Sequence, residues 1–342
     1  MKIIGIVLET REDALACGKP NLDAIYHWRE PEEIQALRHA IKAAGYESVL
    51  LGPPKEVCRD LSKLRGMDFI LNLSVGFVSR SRLAEGPALY ELCGIPYSGA
   101  DPYAKIMSQH KPLMKSLWDK MGIPTPEWAY LHEKEDLGRV HIPGAPLIVK
   151  PAYEGSSIGI NPSSVVRNMT DLKSQVDRIF CSLKTPVLIE RFIEGHEYHV
   201  GIIGNSDIEF IGMIEDLKLD GSPLDAEFSY FEAKKVGRYR KVARDINNPL
   251  FQELLEDVRK AYRLFSPIDY GVMDIRMDSQ GNHYFLELNA DATLHPQRTL
   301  AKCCELNGVP YVDMIRKILT CSFRRWGILD PESVFTGKSK SS

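Results

Sequence analysis

Asp274, Glu287 and Asn289 have the residue types and the spacing to hold a hard divalent cation. Met273-Asp274-Ile275-Arg276-Met277-Asp278 and Phe285-Leu286-Glu287-Leu288-Asn289 both alternate as strands, and Ser279-Gln280-Gly281-Asn282 between them is a hairpin-type turn. On a strand Glu287 and Asn289 point to the same face, and the hairpin brings Asp274 beside them. Two carboxylates about 4 Å apart repel by roughly 4 kcal/mol at an effective dielectric of about 20. An all-oxygen set of this kind suits Mg²⁺, which binds through one or two carboxylates plus substrate phosphates. An ordinary hairpin with surface acids would give the same pattern.

A second group could hold phosphate. Glu154-Gly155-Ser156-Ser157-Ile158-Gly159 follows the short strand that carries Lys150. Glycines let a backbone approach a ligand closely and let successive N–H groups converge on an anion. Lys150 adds a point charge, although no Gly-Lys-Ser/Thr follows the glycines. A Gly-Ser turn between strands is the alternative. Val187 to Phe192 reads as an apolar strand entering a polar turn, where backbone groups could meet an adenine edge and Glu197 could bind ribose hydroxyls. A strand end with solvated acids is the plainer account. Lys234 lies in a long charged and aromatic segment, Asp216 to Asn247, which reads as a candidate lid over a terminal phosphate or as an exposed loop. His295, Arg298 and Thr299 follow the acidic hairpin, and an arginine there could grip a carboxylate in a bidentate pair.

Alternating strands and helices must position these groups. Residues 2–8, 48–51 and 68–73 read as strands, with helices over 32–44 and 87–93 between and after them. This β-α-β-α-β order predicts a parallel sheet with helices on both faces, and ligands at its strand carboxyl ends near Glu9, Asn72 and Tyr97. Further helices are expected over 108–121, 171–183, 249–265 and 310–323, with strands over 145–151 and 187–192 and through 199–212 and 271–288. The chain of 342 residues is long enough for two or three domains, and 44% hydrophobic with 26% charged residues is an ordinary globular balance. A net charge of −3 makes no general case for nucleic acid or an anionic membrane. No apolar run is long enough to span a bilayer. The seven cysteines are scattered without a CxxC pair, which fits reduced thiols and a cytoplasmic location. Cys303-Cys304 fits buried helix packing better than a redox pair.

Taken in order, these segments resemble the ATP-grasp carboxylate–amine ligases, and within them the D-alanine–D-alanine ligase group. The resemblance rests on Gly94-Ile95-Pro96-Tyr97-Ser98-Gly99, the helix with Lys111, Val149-Lys150-Pro151 with Glu154 to Gly159, Val187 to Glu190 with Glu197, Phe231-Glu232-Ala233-Lys234, and Asp274 with Glu287-Leu288-Asn289. It implies an α/β ATP-grasp fold, α+β in its C-terminal half. The N-terminal parallel-sheet domain would span 1–102, a central subdomain 103–200, a C-terminal subdomain with the metal site 201–325, and a tail 326–342. Lys111 and Lys150 would contact ATP phosphates. Glu154, Ser156 and Ser157 would belong to the phosphate loop, Glu190, Arg191, Phe192 and Ile193 to the adenine hinge, and Glu197 to the ribose site. Lys234 would reach the γ-phosphate, and Asp274, Glu287 and Asn289 would hold two Mg²⁺, with Mn²⁺ as an alternative. The implied chemistry is acyl-phosphate formation followed by displacement of phosphate by an amine.

Departures fall on the substrate side. Leu8-Glu9-Thr10-Arg11-Glu12-Asp13 replaces the family's first substrate-binding turn and does not place the family's acid, and Glu9 is carried only as a candidate substrate residue, with His295, Arg298 and Thr299. The family's arginine aligns near Val272 and is absent. Arg276, of the same strand parity as Asp274, is the candidate substitute, so Lys234, Arg276 and Ser157 are the expected catalytic side chains. Asn289-Ala290-Asp291-Ala292-Thr293-Leu294-His295-Pro296 replaces the usual ending. The expected activity is an ATP- and Mg²⁺-dependent ligase acting on amino acids. A carrier-bound acceptor, or a phosphotransferase using the same nucleotide site, are the alternative readings. A carrier protein and a second copy of the chain are the partners the resemblance leaves room for.

Overall fold

A computed structural model describes residues 2–16, 29–77, 79–155, 157–230, 233, 236–290 and 292–328. In the N-terminal part, β1 (Ile3–Val7), α1 (Arg11–Ala16), α2 (Pro31–Ala43), β2 (Glu47–Gly52), α3 (Pro54–Arg59), β3 (Phe69–Asn72) and α4 (Arg82–Cys93) follow one another. The three strands form a parallel sheet in the order β2-β1-β3. One face carries Ile4, Ile6, Leu71 and the apolar side of α2, and the other carries Val7, Ile70, Tyr90 and Tyr97. Strands buried on both faces read as unbroken apolar runs, which is why Ile3 to Leu8 shows no alternation.

Next come α5 (Pro102–Gln109), α6 (Lys111–Lys120), β4 (Trp128–Leu131), β5 (Leu147–Pro151), β6 (Val165–Val166), α7 (Met169–Leu183) and β7 (Val187–Arg191). These strands form an antiparallel sheet in the order β4-β7-β5-β6. The single helix expected over 108–121 is two helices broken at His110. His110 leaves helical geometry (φ −85°, ψ 83°) and its ring accepts the Leu113 amide at 3.1 Å. Pro112 in the first turn of α6 is the cause, since proline suits a helix start and lacks the N–H that a continuous helix would need. The break places Lys111 at a helix start rather than within a long rod.

The remainder builds a five-stranded antiparallel sheet, β10-β9-β8-β11-β12. Its strands are β8 (His196–Gly204), β9 (Ile208–Lys218), β10 (Tyr239–Arg244), β11 (Tyr270–Met277) and β12 (His283–Asn289), with α8 (Gln252–Arg263), α9 (Thr299–Leu306) and α10 (Tyr311–Arg325) packed around it. The segment 216–247, read above as a lid, is partly sheet: β9 runs to Lys218 and β10 returns against it from Tyr239. Tyr239-Arg240-Lys241-Val242-Ala243-Arg244 shows no strict alternation, and its three basic residues hid a strand that is mostly half-buried. Cys303 and Cys304 are buried in α9, as expected for helix packing. Trp326, in the expected tail, packs back on Tyr97 and donates to its carbonyl at 2.8 Å.

Asp269 joins the first sheet to the third. Its carboxylate accepts from the Gly99 amide (2.8 Å), Asn205 (2.8 Å) and Ser322 (2.6 Å) and faces Arg325 at 3.3 Å. Truncating it would strand several buried donors, each costing about 1–3 kcal/mol.

Candidate active site

The β11–β12 hairpin sets Asp274 directly opposite Glu287, and Val272 opposite Asn289. Like charges placed directly across a sheet are destabilising. The Asn289 amide nitrogen lies between the two carboxylates, 3.1 Å from Asp274 and 3.5 Å from Glu287, as a neutral donor where positive charge is wanted. Oxygen donors so arranged fit Mg²⁺ better than Zn²⁺, which prefers nitrogen and sulfur. Lys111 reaches Glu287 at 3.1 Å and also donates to the Glu154 carbonyl. Burial alone would push the Glu287 carboxyl up, but Lys111 and Lys150 outweigh it and lower it to about 2.

Lys150, on β5, pairs with Glu190 on β7, its neighbour across the sheet. The other oxygen of Glu190 meets Lys115 at 2.5 Å. Lys115 was not anticipated from the sequence. The available signal was its place one turn after Lys111 on α6, on the same buried face as Met114 and Trp118. Burial pushes the Glu190 carboxyl up, and the two lysines more than reverse it. Burial pushes the Lys115 amine down, with Glu190 opposing.

The loop after β5 turns at Ser157, whose φ of 58° is left-handed, and Gly159 follows at 73°. Arg82 on α4 holds this loop through Glu154 at 3.0 Å. In the expected hinge, the Arg191 and Phe192 amides already donate to Glu127 and Pro146, both at 2.8 Å. Among the described residues the Ile193 amide has no acceptor.

Arg276 departs from its expected place at the reacting centre. Its guanidinium is buried and donates to the carbonyls of Ile193 (2.9 Å), Glu227 (3.0 Å) and Asp225 (2.5 Å), and to Glu197 at 2.9 Å. With its donors so engaged it staples the hinge to the segment before residue 230. Glu197 also accepts the Ser229 amide at 3.2 Å. Glu9 departs as well: it is buried, and its oxygens accept the Val75 and Gly76 amides at 2.9 and 3.1 Å. Burial raises its carboxyl, with those two amides and Arg29 offsetting part of the rise. It ties the end of β1 to the loop after β3. The His295 ring faces Glu30 at 3.9 Å and accepts the Gln297 amide at 3.0 Å.

One cleft collects the rest. Lys111, Lys150, Glu154, Ser157, Glu190 to Ile193, Glu197, Asp274, Arg276, Glu287, Asn289, Arg298 and Thr299 all line it, and Glu9 and His295 do not. Arg29, Arg82, Val75, Leu83 and Leu300 also line it. Ser156 and Lys234 lie outside the described residues. His199 also lines the cleft and was not anticipated. Its Nδ1 lies 2.6 Å from Asp274 and its Nε2 lies 3.3 Å from Asp216. Burial lowers the affinity of the His199 ring for a second proton, but Asp216 and Asp274 outweigh it and raise its pKa to about 9.

Residues 117–320 match the family model described as D-ala D-ala ligase C-terminus. A D-alanine–D-alanine ligase of Neisseria meningitidis is 28% identical over 291 residues, covering 83% of this chain and 90% of that protein. An uncharacterised protein, y4sG, of Sinorhizobium fredii is 26% identical over 322 residues, covering 90% and 93%. Among solved structures, the D-alanine–D-alanine ligase of Bacillus anthracis superposes with a TM-score of 0.68 at 20% identity, covering 95% of this chain and 98% of that one. The same enzyme complexed with ATP gives 0.67 at 19% identity. At 19–20% identity the likeness to these solved structures carries the fold and nothing finer.

Proposed function

The chain belongs to the D-ala D-ala ligase C-terminus family, and from that premise we propose that it joins an amino-acid carboxylate to an amine through an acyl phosphate, using ATP and Mg²⁺. It is an ATP-grasp ligase forming carbon–nitrogen bonds. No helix among the described residues is long and apolar enough to cross a membrane. The observation that carries the proposal is the meeting in one cleft of two lysines with the Asp274 and Glu287 carboxylates and the Asn289 amide, joined at the Lys111–Glu287 contact of 3.1 Å.

Lys111 and Lys150 hold the ATP phosphates, the Ser157 turn covers them, and the Ile193 amide meets the adenine edge. Asp274, Glu287 and Asn289 would hold Mg²⁺, which when bound neutralises charge on the phosphates. Glu197, already fixed by Arg276, keeps one oxygen for the ribose. The substrate carboxylate, gripped by Arg298, attacks the γ-phosphorus; a carboxylate O–P bond forms and ADP departs with the electron pair of the broken bond. The amine then attacks the carbonyl carbon, loses a proton, and expels inorganic phosphate. Catalysis of this kind depends on positioning and on charge neutralisation more than on covalent help from the protein.

The test is a screen of D- and L-amino acids, singly and in pairs, and of carrier thiols, for substrate-dependent release of ADP and phosphate. An amide product with stoichiometric phosphate is expected. ADP with a phosphorylated alcohol would make the protein a phosphotransferase, and no turnover with any of them would count against a ligase of amino acids. The replaced substrate turn and the inward-facing Glu9 favour a carboxylate substrate other than D-alanine.

No ion pair engages the Arg298 guanidinium among the described residues. Arg298→Ala should therefore raise KM for the carboxylate substrate about 10-fold or more, the worth of one hydrogen bond to a charged group. KM for ATP should move less than about 2-fold by comparison. Steady-state titration of each substrate at saturation of the other gives the ratio, and the reverse ratio would take Arg298 out of the acyl pocket.

A further inference from the structure

A row of alternating charge crosses the five-stranded sheet on the face toward the cleft. Lys241 on β10 meets Asp216 on β9 at 2.5 Å. Asp216 meets His199 on β8 at 3.3 Å, and His199 meets Asp274 on β11 at 2.6 Å. Asn289 on β12 continues the row, 3.1 Å from the other oxygen of Asp274. His199 stands directly opposite Asp274 in the strand register, so the backbone ladder itself sets their contact. His199 and Asp216 are both buried.

We propose that His199 is a positioning residue: it pins one oxygen of Asp274 so that the other faces Glu287 and Asn289, and Asp216 with Lys241 pins His199 in turn. The inference rests on the reading of Asp274 as a cation ligand. A carboxylate on a strand turns about its own side-chain bonds, and the strand fixes only its root. Hydrogen bonds to a ligating carboxylate remove that freedom, and loss of such a partner typically costs 10–100-fold in metal affinity. Imidazole suits the task because its two nitrogens face opposite ways and span from one strand's acid to the next.

The same residues invite a rival account. Ligand atoms of Glu197, His199 and Asp216 lie within 4.8 Å of one another, close enough to hold an ion themselves. Two of the three are already neutralised, Asp216 by Lys241 and Glu197 by Arg276 at 2.9 Å. A divalent cation placed there would crowd two fixed cations. The geometry favours support of Asp274 over a separate ion site.

Mn²⁺ binding in the presence of a non-hydrolysable ATP analogue, followed by electron paramagnetic resonance, tests this without turnover. Wild type should bind Mn²⁺, and Asp274→Asn should lose most of that affinity. If either fails, the cation site itself is misplaced. With both satisfied, His199→Leu should weaken Mn²⁺ about 10–100-fold. His199→Asn, which keeps an N–H toward Asp274, should stay within about 3-fold of wild type. A His199→Leu protein that binds as wild type, or a His199→Asn protein as poor as His199→Leu, overturns the proposal. So does nitrogen coupling showing His199 bound to the Mn²⁺ itself. Should His199→Leu not fold, Asp216→Asn carries the test: a several-fold loss of Mn²⁺ affinity is expected, and an unchanged affinity overturns it.

Discussion

ADP formation by Glu287→Gln should fall by about 10³-fold while nucleotide binding declines far less. Glutamine keeps the shape of the side chain and removes its charge. That charge neutralises Lys111 at 3.1 Å and contributes one of two carboxylates to the oxygen trio. Removing one preorganised electrostatic group from such a site costs about 10²–10³ in rate, and loss of a metal-ligand charge belongs at the upper end. On the proposed reading ATP is also held by Lys150, by the turn at Ser157 and by the hinge, so its affinity should survive in part. Steady-state ADP release and equilibrium binding of a fluorescent nucleotide, measured on the same preparation, separate the two effects. Wild-type turnover would remove Glu287 from the cation site.

Glu190→Gln should destabilise the fold by about 3 kcal/mol or more, the usual cost of stripping the partner from a buried ion pair. Glu190 is fully buried, and so is Lys115. Without the carboxylate, Lys115 keeps Thr125 at 2.6 Å and the Phe285 carbonyl at 3.4 Å, neither of them charged. Lys150 loses its partner as well, although as part of the cleft lining it retains access to water and to phosphate. Urea unfolding gives the comparison, and a loss under about 1 kcal/mol would mean the three groups do not act as a charged triad. Adding Lys115→Met should recover much of the loss, because the uncompensated charge is then gone. The double variant also separates folding from function: it should regain stability without regaining the full affinity for ATP.

What the residues alone determined was local. Period-two alternation around a Ser-Gln-Gly-Asn turn placed Asp274, Glu287 and Asn289 on one face. The run from Lys150 through Gly159 marked a strand entering a tight turn. Each inference needs only the geometry of a few consecutive residues, and the order of the segments then identified the fold. The tertiary structure alone decided the partners. His199 and Asp274 lie 75 positions apart, and only the β8–β11 register makes them neighbours. Nothing near Lys115 in the chain announces Glu190, and nothing near Arg276 announces the carbonyls that occupy it. Glu9 had the right type at the right strand end, but the amides of Val75 and Gly76 cross over it and turn it inward. Periodicity fixes which way a side chain points; which charge it finds there depends on how distant strands and helices pack, and no local pattern encodes that.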